Sequence, residues 1–140
     1  MVTAMPGETD LKAILSNLSP ILLPETWVFC TLPDASYGDF AETFPKAAIL
    51  EQEGLTLVLE KHIADQYGFS YGGEWRCISL QVHSSLNAVG LTAAISGALA
   101  DQHISVNIIA GYHHDHLFVP EACAGRAMEL LAELQQSQPS

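Results

Sequence analysis

The sequence predicts an α+β fold of two similar halves, with antiparallel sheets and helices on one face, and three observations predict it. Apolar residues recur at helical spacing in each half, most clearly around Leu91–Leu99 and Ala127–Leu134. Between them lie short runs that alternate apolar and polar residues, the period of a strand. The order helix, strand, hairpin, helix occurs on both sides of Gly72-Gly73, although side-chain identity between the halves is negligible.

Leu11, Ile14, Leu15 and Leu18 follow i, i+3, i+4, i+7, which places a short helix from about Thr9 or Asp10 and ends it at Pro20. Trp27 to Leu32 reads as a strand, and Asp34 to Pro45 as a polar loop. Ala47–Leu50 and Leu55–Leu59 form a hairpin across Glu51-Gln52-Glu53-Gly54, with glycine where positive φ is useful. Lys61 to Tyr67 is a brief helix closed by Gly68. After Gly72-Gly73, Ile78, Leu80 and Val82 alternate with Cys77, Ser79 and Gln81, as in a half-buried strand. Ser84 to Gly90 is a loop of small and polar residues. Leu91, Ala94, Ile95, Ala98 and Leu99 share one helical face, and Ile104, Val106 and Ile108 alternate as a strand. A turn near Gly111 leads to a strand at Leu117–Val119, Pro120 opens a last helix, and Gln135 to Ser140 is expected to fray. The second half is therefore β-α-β-β-α, and the pair corresponds to two ferredoxin-like βαββα modules, residues 1–72 and 73–140. The first half has no room for a strand before its helix, so its sheet needs Trp75–Val82 or a partner chain.

Composition narrows the function. Sixteen acidic against five basic residues give a net charge of −11, which leaves no basic patch for a phosphate backbone or an anionic membrane surface. Nucleic acid and membrane are thus excluded as partners. Of the residues, 49% are hydrophobic and mean hydropathy is +0.21, apolar enough to suggest a homodimer. Cys30, Cys77 and Cys123 are odd in number, far apart and without a C-x-x-C pair, so each is expected as a buried reduced thiol. Met1 to Asp10 shows no signal peptide, and the longest apolar tract, Ala88–Ala100, is too short to span a bilayer; the expected location is cytoplasmic.

The chemistry-bearing segments are two. Gly90 permits close backbone approach at a helix start, where free N–H groups and the helix dipole suit a carboxylate. Ser84, Ser85 and Asn87 can add hydrogen bonds, and with Val89, Gly90, Leu91 and Thr92 they form the candidate ligand site. The competing reading is that Ser85 or Asn87 caps the helix and Gly90 relieves crowding. His113-His114-Asp115-His116 holds three imidazoles and a carboxylate, and is the secondary candidate. It reads as a hydrogen-bonded hairpin, a second edge of the ligand site, or a metal site. On a strand His114 and His116 point one way and His113 and Asp115 the other, which argues against shared ligation. His62, His83 and His103 are dispersed.

No nucleophile elbow, P-loop, dinucleotide fingerprint or H-E-x-x-H is present, so neither catalysis nor a cofactor is expected. Cys123 near a helix start reads as packing, as do Tyr67, Phe69, Tyr71 and Trp75 beside their glycines.

Asn87-Ala88-Val89-Gly90-Leu91 resembles the strand–loop–helix signature of ACT domains, in which an acidic residue, a proline and a glycine precede the helix. Gly90 matches; Asn87 stands at the acidic position and Val89 at the proline position. The longer runs Val89–Ile95 and His103–Pro120 resemble small tandem-ACT proteins related to arginine-sensor-type, amino-acid-sensing ACT modules. The likeness covers most of residues 75–135, and the first half through Trp27–Leu32 and Glu53-Gly54-Leu55-Thr56. It implies a non-catalytic regulatory protein that binds an amino acid or similar carboxylate metabolite at a module interface. The alternatives are an interaction protein without ligand, or a metal-binding protein through His113–His116.

Overall fold

The first helix, α1 (Leu11–Ser16), starts where the sequence places it: the Asp10 side chain accepts from the Lys12 amide. It stops at Asn17, one turn earlier than expected, and Leu18 reaches the core from beyond the helix. This is a computed structural model, and it describes residues 9–138. The expected lack of a signal peptide in the first residues lies outside the described residues, as do the last two of the tail Gln135–Ser140 expected to fray. Gln135 and Gln136 are instead helical, and the Gln135 side chain accepts from the Ser19 amide at 3.0 Å.

Ser19 takes a left-handed conformation and Pro20 opens β1 (Pro20–Leu32), a strand of 13 residues that begins well before Trp27. Pro20 and Pro24 hid its first half, since proline donates no ladder hydrogen bond and normally marks a strand's start or edge. A loop containing one 3-10 turn (Ala41–Thr43) leads to β2 (Ala47–Glu51) and β3 (Gly54–Glu60), followed by α2 (Lys61–Tyr67). The second half runs β4 (Trp75–Leu80), α3 (Leu91–Ala100), β5 (Asn107–Ala110), β6 (Asp115–Pro120) and α4 (Ala124–Gln136). It is βαββα as expected. The first half repeats the pattern after β1 with its first helix reduced to the 3-10 turn.

The described residues form two compact units, residues 9–23 with 76–138, and residues 24–75. In the first unit the strand order is β1 (its opening residues), β4, β6, β5, with β5 and β6 antiparallel from Asn107↔Phe118 to Ala110↔Asp115. Its core gathers Ile14, Leu15 and Leu18 around α1, Ile95 and Leu99 from α3, Leu117 and Val119 from β6, and Leu130 and Leu131 from α4. Arg76 ties β4 to β1 by donating Nη2 to the Leu23 carbonyl at 2.8 Å. Cys77, Ile78, Ser79 and Leu80 are all buried, so β4 is covered on both faces rather than half-buried. Cys77 and Ser79 are small enough for the inside of a sheet, and their polar appearance in the sequence concealed this. Ile104 and Val106 also pack in this core, but they precede β5. The chain leaves α3 through left-handed His103, and the Ile104 amide donates back to the Leu99 carbonyl at 3.0 Å. Without a glycine that reversal is silent in the sequence. Pro120 ends β6 and a 3-10 turn (Glu121–Cys123) precedes α4.

In the second unit the order is β2, β3, β1, both pairs antiparallel. The hairpin pairs Glu51 with Gly54 across Gln52 and Glu53. Gly54 has φ +140°, and a Cβ there would lie 2.6 Å from the Leu32 oxygen and the Pro33 Cα. Only glycine fits that turn. Leu55, Leu57 and Leu59 pack with Val28, Cys30 and Ala64.

Candidate functional site

The Ser84–Gly90 loop and the start of α3 line a cleft of about 520 Å³ in the first unit. Ser84, Ser85, Leu86, Ala88 and Gly90 come from the loop, and Leu91, Thr92 and Ala93 from the first turn of α3. Ala110 and Gly111, where β5 ends, and Asp115, where β6 begins, close the other side. The hairpin turn that sets these residues is held by the Gly111 amide donating to the His114 carbonyl at 2.9 Å.

Gly90 is the N-cap of α3, at φ +97°, and no side chain caps the helix. The first intrahelical bond runs from the Ala94 amide to the Gly90 carbonyl at 2.9 Å, so the amides of Leu91, Thr92 and Ala93 precede the helical ladder. The cap reading of Ser85 and Asn87 is therefore corrected. The Ser85 hydroxyl accepts from the Asn87 amide at 3.1 Å and its carbonyl from the Ala88 amide at 3.0 Å, which folds the loop on itself. Of the residues expected at the site, Ser84, Ser85, Gly90, Leu91 and Thr92 line the cleft. Asn87 and Val89 do not, and Val89 is 82% exposed. Leu86, Ala88, Ala93, Ala110 and Gly111 were missed because small apolar residues carry no chemical signal in a sequence.

The secondary cluster meets the loop through Asp115, whose carboxylate accepts a hydrogen bond from Ser84. Burial raises the Asp115 pKa above the usual carboxylate range; the Ser84 hydrogen bond and the His114 charge pull it partly back. His113 is exposed, and His114 and His116 are half-buried. His83, dispersed in the sequence, joins them: its ring lies 5.2 Å from that of His113 and 6.4 Å from that of Tyr112. Among the described residues no three His, Cys, Asp or Glu side chains form a group able to hold a metal ion.

The second unit holds a cleft of about 500 Å³ after β1, at the corresponding place in its half. Its lining includes Asp34, Asp39 and Glu42 around Leu32, Pro33, Ala35 and Phe40, with a 3-10 turn where α3 stands in the other. It offers carboxylates and no helix N-terminus. Cys30 and Cys77 are buried; Cys123 is only half-buried, in correction of the expectation for that thiol. Burial, and then the Asp65 charge, push the Cys30 thiol upward, away from the thiolate a nucleophile needs.

Two ACT-domain family models match the chain, one over residues 6–76 and the other over residues 73–133. The chain belongs to the ACT-domain family. Its ACT modules succeed one another along nearly the whole sequence, and the fold is the tandem ferredoxin-like arrangement. A crystal structure of a Vibrio cholerae protein of unknown function, described as a possible transport protein, is 43% identical. That match covers 89% of this chain and 95% of the other, with a TM-score of 0.81. A protein from Agrobacterium tumefaciens is 17% identical over 84% of this chain and 88% of its own, with a TM-score of 0.70. The ligand-free regulatory subunit of aspartate kinase from Thermus thermophilus is 11% identical over 85% and 97%, with a TM-score of 0.63. These last two likenesses are of fold. No curated protein matches the chain. Among the described residues no helix is long and apolar enough to cross a membrane.

Proposed function

We propose that this ACT protein is a non-catalytic regulator that binds a free α-amino acid in the cleft at the start of α3. The observation that carries the reading is the pairing of opposite poles across one cleft. The uncapped first turn of α3 presents amide donors and the positive end of a ten-residue helix, which suit a carboxylate. Asp115 presents a carboxylate on the other side, which suits an ammonium. An α-amino acid carries both groups on one carbon. Ser84, already donating to Asp115, holds that carboxylate in place. The regulatory role draws support from family membership and from the likeness to an aspartate kinase regulatory subunit.

The same reading takes residues 1–72 and 73–140 as the two modules, in keeping with the matched ranges 6–76 and 73–133. It also takes the protein as a cytoplasmic homodimer. Exposed Phe44 and Val89 side chains are apolar surface that a partner copy would cover.

The test is a thermal-shift screen of the untagged protein against the twenty amino acids and common carboxylate metabolites. A ligand at a hundred times its dissociation constant stabilises the folded state by about 2.7 kcal/mol. An upward shift with an α-amino acid, absent in Asp115→Asn, supports the reading. No shift with any amino acid overturns it. Gly90 is the wrong position to substitute: a Cβ there would lie 2.9 Å from Leu11 Cδ2 on a backbone at φ +97°, so packing and binding would change together.

A further inference from the structure

We infer that the cleft selects an α-amino acid whose side chain is bulky, uncharged and apolar. This rests on the zwitterion reading above and adds the side chain to it. With the ligand's carboxylate on the α3 amides and its ammonium on Asp115, the apolar part of the lining is Leu86, Ala88, Ala93, Ala110 and Gly111, and the Ser85 and Thr92 hydroxyls stand beside it. None of these five side chains can ionise or form a hydrogen bond. Four carry at most a methyl group, so the walls stand back and leave room in a cleft of about 520 Å³. Leu86 is 64% exposed although it lines the cleft. An isobutyl group held in water at the rim of a cavity gains free energy when an apolar group enters beside it.

Charged side chains fit badly. Among the described residues Asp115 is the one ionisable side chain in the lining, and the zwitterion's ammonium takes it. A second carboxylate on the ligand would meet Asp115 in a chain of net charge −11. A second cation would find no second carboxylate in the lining. The acidic cleft of the other unit, with Asp34, Asp39 and Glu42, shows what a cation-accepting lining looks like on this same chain.

The experiment is calorimetric titration of the full chain with leucine, phenylalanine, alanine, glycine, aspartate and lysine, repeated on Leu86→Ser. The expected result is leucine or phenylalanine tightest, with glycine, aspartate and lysine each at least about tenfold weaker, the worth of roughly half a buried leucine side chain. Leu86→Ser weakens leucine about tenfold and leaves glycine within about twofold, since only the side-chain contact is removed. Circular dichroism confirms that this variant, altered on an exposed loop, is folded. Aspartate or lysine binding as tightly as leucine, or leucine no tighter than glycine, overturns the selectivity while the zwitterion reading stands. Failure of leucine and phenylalanine to bind overturns the selectivity, and failure of all twenty amino acids overturns both.

Discussion

Replacing Asp115 by asparagine tests the ammonium half of the proposed site in isolation. The substitution keeps shape and leaves an oxygen to accept from Ser84, but removes the charge. At an exposed pair that charge would matter little, about 0–1 kcal/mol. Asp115 is half-buried and lines the cleft, so the appropriate scale is that of a hydrogen bond to a charged group, about 1.5–3 kcal/mol. The loss in affinity should therefore be about 10- to 150-fold. The assay is a two-by-two calorimetric cycle: wild type and Asp115→Asn, each with leucine and with isocaproate, which is leucine without its amino group. Isocaproate should bind the two proteins equally and the wild type as weakly as leucine binds the variant. The reasoning fails if leucine binds both proteins within about twofold, or if isocaproate loses as much as leucine. Unfolding does not confound the result. Burial raises the Asp115 pKa, so the ionised carboxylate costs folding free energy that asparagine does not.

That last point is itself measurable. A folded pKa above the unfolded one means that the stability Asp115 retains at low pH is lost as pH rises from about 4, the unfolded value, through the folded pKa. In ligand-free protein, wild type should lose stability relative to Asp115→Asn over that interval, followed by urea unfolding at a series of pH values; a constant difference would contradict it. Gly54→Ala should cost about 2–6 kcal/mol, from a φ of +140° and a Cβ pressed to 2.6 Å against Leu32 and Pro33 backbone. A urea midpoint equivalent to less than about 1 kcal/mol of change would show that the hairpin adjusts. Phe118→Ala, which truncates a fully buried ring on β6, should cost about 3–5 kcal/mol by the same measurement. Thiol titration of the native protein should label Cys123 first and leave Cys30 and Cys77 until unfolding, because both are buried and Cys30 also resists ionisation. Early labelling of Cys30 would contradict its burial.

The sequence by itself determined whatever depends on local periodicity and on neighbours a few residues apart. The Asp10 cap, the helix over Lys61–Tyr67, the hairpin at Gln52-Glu53, and the face Leu91, Ile95, Leu99 are decided within one or two turns of chain. So is the open start of α3, because a glycine before an apolar helix signals an uncapped first turn wherever the helix packs. Tertiary structure decided what depends on partners distant in sequence. Asp115 and Ser84 are thirty-one residues apart, and only β6 beside β4 in one sheet brings the carboxylate to the loop. His83 meets His113 for the same reason. The extension of β1 back to Pro20 and the burial of both faces of β4 also rest on neighbouring elements, which supply the cover that alternation in a single strand cannot reveal. The alanines and glycine that line the cleft were the least legible, because a methyl group or a hydrogen acquires meaning only from the space the rest of the fold leaves beside it.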